Sequence, residues 1–158
     1  MILAVDTNVL LDILIPNTQH LEWALNCLLH TSPEDRFIIS EVVFAELSSQ
    51  FLSIRDLEGF IGRTGIRVDS SDSQVLFRAG AAWKKYAARR KEQMVCPACG
   101  GSQEIVCISC GSPIRLRQHI LSDFLIGAHA AIRANKLITR DRGFYRRYFE
   151  RLELITPQ

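Results

Sequence analysis

Four carboxylates in this chain stand where a buried charge needs a reason. Asp6 follows the apolar run Ile2-Leu3-Ala4-Val5 directly. Asp141 comes two residues after Thr139, which closes the short run Leu137-Ile138-Thr139. An ionised carboxylate at the end of a buried element is costly unless something pairs with it. Glu46 lies in SEVVFAELSSQF, where Val43, Leu47 and Phe51 recur every four residues. It falls about 60° round from that apolar stripe, at its shoulder. Asp123, in SDFLIGAHAAIRAN, falls in a first helical turn, where the helix dipole favours negative charge. The small residues Gly127, Ala130, Ala131 and Ala134 share its stripe and let that helix pack close to a sheet.

Each acid has a plain structural reading. Asp6 could cap the next helix, Asp123 could answer the dipole, Asp141 could open a turn, and Glu46 could be half-exposed. Together they suggest more, because four carboxylates held close repel unless cations sit among them. Mg²⁺ and Mn²⁺ are hard ions that prefer oxygen ligands. Two of them roughly 4 Å apart can clamp the attacking and leaving oxygens of a phosphodiester. Asn8 and Thr139 are short polar neighbours able to orient a carboxylate or a water. Asp12 is a further acid, expected on the exposed side of its helix.

Four of the five cysteines form a second constellation. Cys96, Cys99, Cys107 and Cys110 make C-x₂-C-x₇-C-x₂-C, a spacing that suits tetrahedral Zn²⁺. Gly100 and Gly111 each follow the second cysteine of a pair, where glycine permits a left-handed turn. Disulfides are the first alternative, disfavoured in a cytoplasmic chain, and a redox pair is the second, disfavoured by the doubled motif. Four thiolates leave no open position, so the expected zinc is structural. Cys27, in ALNCLL, is expected to be a core thiol. His119 is close enough to substitute as a ligand, though four cysteines are available, and His20, His30 and His129 need no role beyond packing or surface.

The elements that must position these groups alternate. Apolar runs at 2–5, 36–39, 66–68, 137–139 and 152–155 predict strands. Helical patterns cover 8–15, 20–30, 41–51, 54–62, 72–93, 120–134 and 142–149. Strands separated by helices give an α/β fold with a parallel sheet covered on both faces. Ligands collect outside the carboxyl ends of such strands, which is where Asp6 and Asp141 fall. The stretch CPACGGSQEIVCISCG breaks this pattern and reads as an insertion, at 94–118, into one domain spanning 1–158. Trp83 and Tyr86 share helical spacing with Leu76 and Ala79 and are expected in the core.

No apolar stretch reaches the roughly 18 residues of a membrane span, and no basic segment precedes the first apolar run. A cytoplasmic location is the expectation. Charge divides the chain. Residues 1–77 carry 4 basic and 11 acidic groups, and residues 78–158 carry 15 and 6. A basic half suggests a polyanionic partner such as nucleic acid, or else solvated helix faces. Arg140, Arg142, Arg146 and Arg147 flank Asp141 and are candidates to grip phosphates. Lys84, Lys85, Arg89, Arg90 and Lys91 precede the insertion and could line a nucleic-acid path.

The segments VDTNVLLD, SEVVFAEL, SDFLIGAHAA and LITRDRGF, in this order, resemble the PIN-domain nucleases, especially the small VapC-type toxins of toxin–antitoxin modules. The cysteine insertion departs from the family. The resemblance implies a PIN fold and Mg²⁺- or Mn²⁺-dependent cleavage of RNA by a metal-activated water, without a covalent intermediate. It places Asp6, Glu46, Asp123 and Asp141 in the acidic cluster, with Asn8 and Thr139 as polar accessories. It also implies a possible antitoxin partner and a possible homodimer. The main rival is a non-catalytic nucleic-acid-binding protein using the same scaffold and the zinc module. A phosphatase with Asp6 as nucleophile ranks low, because the usual Asp-x-Asp would need Asp where this chain has Asn8.

Overall fold

In a computed structural model, residues 1–157 are described except 16–18, 30–31, 90–93, 96–101, 104, 113–120 and 142. The chain runs β1 (Ile2–Val5), α1 (Thr7–Leu14), α2 (Leu21–Leu29), β2 (Arg36–Ser40), α3 (Glu41–Ser48), α4 (Ile54–Thr64), β3 (Arg67–Asp69) and α5 (Ser73–Arg89). A two-stranded antiparallel ribbon follows, β4 (Met94–Val95) with β5 (Ser102–Gln103). The last elements are α6 (Leu121–Arg133), β6 (Lys136–Ile138), α7 (Gly143–Tyr148) and β7 (Glu153–Ile155).

The five long-range strands form one parallel sheet in the order β3-β2-β1-β6-β7. β1 is its centre. Ala4 pairs with Ile38 on one side and with Leu137 on the other. The chain leaves β1 towards β2 and β3, then crosses over to β6 on the opposite flank. The strand order therefore reverses at β1 and β6, and a crevice opens beyond the carboxyl ends of those two strands. Asp6 and Thr139 each follow the last residue of one of them.

Local chemistry fixes the helix ends. Ser40 caps α3 by accepting a hydrogen bond from the Val43 N–H at 3.3 Å. Ser53 does the same for α4 from the Asp56 N–H at 3.2 Å. α3 stops at Ser48, short of the expected 51. The Ser48 and Ser49 hydroxyls donate to the carbonyls of Ala45 and Glu46, satisfying groups the helix would otherwise leave open. Phe51 instead packs against Phe60, ring centres 5.7 Å apart.

The core draws buried residues from the sheet and from α1 to α4 as well as from α5, α6 and α7. Phe124 is fully buried and meets Phe144 edge-on at 4.8 Å, Trp83 at 5.3 Å and Tyr86 at 5.5 Å. Gly127 makes room for this cluster: a β-carbon there would lie 2.3 Å from Phe149. The expected core stripe of α5 holds at Ala79, Trp83 and Tyr86 and departs at Leu76. Val75, Ala79, Ala82 and Tyr86 are buried and Trp83 packs at the edge, whereas Leu76 stands half exposed. Cys27 is half-buried against the core, and burial pushes its thiol pKa up. His129 is buried, with Nε2 3.0 Å from Asp69 Oδ2, tying α6 to the edge strand. Among the described residues, no helix is long and apolar enough to cross a membrane.

Candidate active site

A cleft of about 240 Å³ opens over the carboxyl ends of β1 and β6, and Asp6, Glu46, Asp123 and Asp141 all line it. They arrive from four places. Asp6 joins β1 to α1, Glu46 is on α3, Asp123 is in the first turn of α6, and Asp141 precedes α7. Thr7, Asn8, Leu11 and Tyr145 complete the wall.

Asp6 is almost entirely buried and makes no side-chain capping bond to α1. Its Oδ2 accepts from Asn8 Nδ2 at 2.6 Å, from Thr139 Oγ1 at 2.6 Å and from Tyr145 Oη at 3.2 Å. Such donors favour the ionised form, yet burial outweighs them, and the charge of Glu46 works in the same direction as burial. The Asp6 carboxyl is pushed up to about 6. Tyr145 is buried too, and desolvation followed by the charges of Asp6, Asp123 and Asp141 holds its pKa well above that of a free phenol. It therefore keeps its proton and remains a donor.

The polar neighbours form one network between α1 and the segment after β6. The Thr139 hydroxyl gives its proton to Asp6 and accepts from the Asp141 N–H at 3.0 Å. Asn8 accepts at Oδ1 from the Arg140 N–H at 3.1 Å. Glu46 is held separately, by the Thr7 hydroxyl donating to its Oε2. Asp141 has a structural duty as well: Oδ1 accepts from the N–H groups of Gly143 and Phe144, at 3.0 and 2.9 Å, and caps α7.

Two polar residues of this wall, and the apolar Leu11, were not singled out by their sequence positions. Thr7 stands between two candidates, and the run Asp6-Thr7-Asn8 was its only signal. Tyr145 lies four residues beyond Asp141, one helical turn on, but nothing in its type distinguishes it from a core tyrosine. Asp12 corrects an expectation. It is buried rather than exposed, because Arg140 Nε lies 3.1 Å from its Oδ2 and covers it. Arg140 thus turns to Asp12, Arg146 is exposed on α7, and Arg147 lines a different pocket. Arg142 lies outside the described residues.

The donors that line the cleft are carboxylates and neutral oxygens, with no thiol or imidazole among the lining residues. That set fits a hard divalent cation such as Mg²⁺ or Mn²⁺. Among the described residues, no three His, Cys, Asp or Glu side chains are drawn together closely enough to chelate an ion as they stand.

Of the four paired cysteines, Cys107 and Cys110 lie among the described residues, and neither forms a disulfide. The Gly111 N–H donates to the Cys107 carbonyl at 2.8 Å, and the Cys107 N–H donates to the Ser112 carbonyl at 2.8 Å. Gly111 sits at φ +69°, the left-handed turn its position called for. Hydrogen bonds from Ser112 lower the Cys110 thiol, and the Cys107 side chain adds to them. Cys96, Cys99 and His119 lie outside the described residues.

The fold has solved counterparts. VapBC-1 from nontypeable Haemophilus influenzae superposes with a TM-score of 0.62 at 21% identity, over 99% of this chain and 98% of that one. FitAcB from Neisseria gonorrhoeae gives 0.62 at 18%, over 99% and 98%. VapC20 of Mycobacterium tuberculosis, described as a sarcin–ricin loop cleaving toxin, gives 0.55 at 15%, over 96% and 98%. No curated protein sequence matches the chain. The family model for the PIN domain matches residues 3–150. With the reversal of strand order at β1 and β6 and an acid-lined cleft above it, that match covers nearly the whole molecule: the chain belongs to the PIN-domain family.

Proposed function

We propose that this protein is a Mg²⁺- or Mn²⁺-dependent endoribonuclease, acting as the toxin of a toxin–antitoxin pair. The observation that carries the reading is the gathering of Asp6, Glu46, Asp123 and Asp141 on one cleft, with Asp6 raised to about 6. These four carboxylates would hold the ions. When bound, such ions neutralise charge on a phosphodiester and lower the pKa of the attacking water. The chain's own groups prepare the site. Asn8, Thr139 and Tyr145 fix Oδ2 of Asp6, and Thr7 fixes Glu46. The two flanking threonines and the asparagine set carboxylate orientation, as outer-shell partners do around metals. The antitoxin partner is proposed from the similarity to chains of VapBC complexes, which cover 99–100% of this one.

The second proposed ion is a structural Zn²⁺ held by Cys96, Cys99, Cys107 and Cys110 within an insert at 94–118. The turn around Cys107 and Cys110, and the small ribbon of β4 and β5 beside it, support this. Elemental analysis should find one zinc per chain, and Cys107→Ser with Cys110→Ser should lose it. Wild-type levels of zinc in that variant would remove the proposal.

The decisive experiment is cleavage of single-stranded RNA with and without added Mn²⁺, in protein freed of contaminating nuclease. Cleavage should require the ion. Asp6→Asn and Asp141→Asn should each lose more than the roughly 10–100-fold typical of an outer-shell partner, while still binding RNA. Near-normal cleavage by both variants would overturn the assignment. Binding without any cleavage by the wild type would favour a non-catalytic nucleic-acid binder.

A further inference from the structure

A second pocket, of about 220 Å³, has Tyr148 and Phe149 of the aromatic cluster in its lining. Arg78, Lys85 and Arg89 contribute to it from α5, and Arg147 and Arg151 from α7 and the turn beyond. The three α5 residues recur at i, i+7 and i+11, which sets them within about 40° of one another on one helix face. Glu150 is the only acid in the lining, so the pocket carries a strong positive excess. Among the described residues none of its five cations is ion-paired. Elsewhere Arg133, Lys136 and Arg140 each meet an acid, at 2.9, 3.0 and 3.1 Å. Five like charges converging on one pocket with a single acid beside them repel one another.

The pocket and the cleft share α7. Tyr145 lines the cleft and Tyr148 lines the pocket, one turn and about 4.5 Å further along the helix axis. The Arg147 guanidinium stands 5.9 Å from the centre of the Tyr148 ring. Cations combined with an aromatic face suit a nucleic-acid strand better than an acidic peptide, because phosphates and bases alternate along it.

We propose that this pocket holds a backbone phosphate of the RNA strand that crosses the acidic cleft, and so sets the strand's path and register. The proposal rests on the ribonuclease reading for the identity of its ligand. It predicts that a strand long enough to span both sites binds better than one that fills the cleft alone.

The test uses full-length protein carrying Asp141→Asn, so that RNA stays intact. Lys85→Gln with Arg89→Gln is compared in that background with Arg55→Gln plus Arg63→Gln, two exposed cations of α4 that remove the same charge. Binding of a labelled single-stranded RNA of about 15 nucleotides is followed by anisotropy across a salt series, beside a trinucleotide. The pocket pair should lose about fivefold or more in affinity for the long strand. Its slope of log K against log salt should become shallower by about 0.7 for each phosphate released. The control pair should change less than about twofold, and the trinucleotide should not distinguish the variants. Equal loss by the two pairs would overturn the proposal, since only net charge would then matter. So would loss of polyglutamate binding with RNA binding unchanged, which would make the pocket a protein-docking site. Wild-type cleavage with Mn²⁺ is scored separately: if it is absent while the slope change is present, the nuclease reading fails and the phosphate site stands.

Discussion

At the scale of single residues, Asp6 decides how the site responds to pH. Its folded value of about 6 lies above the ordinary 3.8, because burial disfavours the charge. Its contribution to stability is therefore fully present below the unfolded value and is lost as pH rises through the folded one. In metal-free protein, the stability of the wild type relative to Asp6→Asn should fall by on the order of 3 kcal/mol across that window, a shift of about two pKa units at 1.36 kcal/mol each. Chemical denaturation at a series of pH values measures this difference, and a flat difference would show that Asp6 is ionised throughout. Metal affinity moves the opposite way. A cation must displace the proton, so Mn²⁺ affinity should drop about tenfold for each pH unit below about 6. Tyr145→Phe removes one donor to the carboxylate. It should raise the midpoint of that Mn²⁺ titration further, at a cost of about 1 kcal/mol in stability.

Whole elements depend on narrow tolerances, and α6 has the narrowest. Alanine at position 127 would gain about 0.5–1 kcal/mol in helix propensity. Against this stands a β-carbon 2.3 Å from Phe149, which is itself packed by Phe144 and Tyr145 and cannot withdraw freely. Overpacking of that kind costs about 1–3 kcal/mol, so Gly127→Ala should lower the melting temperature. Phe149→Leu should cost less in the Gly127→Ala background than alone, and independent effects of the two changes would contradict the contact.

The small-residue stripe that includes Gly127 was legible in the sequence, as were the five strands and the polar residues placed just past β1 and β6. Strand ends are written locally, by an apolar run that stops at a polar residue. In α5 the core stripe was legible at Ala79, Trp83 and Tyr86, which Phe124 and Tyr148 pack against, but not at Leu76, because the adjacent Val75 is equally apolar and takes the buried place. The burial of Asp12 was illegible because its partner Arg140 comes from the far end of the chain. Thr7 and Tyr145 join the site through directions their side chains take only once the sheet has formed.

For the molecule as a whole, gathering four acids should make stability depend on a divalent ion. An ion that binds only the folded state at 100 times its Kd adds about 2.7 kcal/mol, or roughly 5–10 °C in a domain of this size. Mn²⁺ should raise the melting temperature of the wild type, with zinc kept occupied throughout, and Asp141→Asn should blunt the rise. The same variant should be no less stable than wild type without metal, because asparagine keeps an oxygen to cap α7 while removing a repelling charge. Equal gains from Mn²⁺ in both proteins would place the ion elsewhere.

The central place of β1 also sets when the cleft can be assembled during synthesis. Asp6 emerges well before Thr139, which donates to it from 133 positions later, and β6 must pair with β1 before Asp141 can reach the cleft. Contacts that distant close late in folding. A nascent chain that stops anywhere before β6 carries at most three of the four acids and none of the wall that β6 and α7 provide. Under the proposed activity, cleavage would have to wait for β6 to join β1, whatever else of the chain had folded by then.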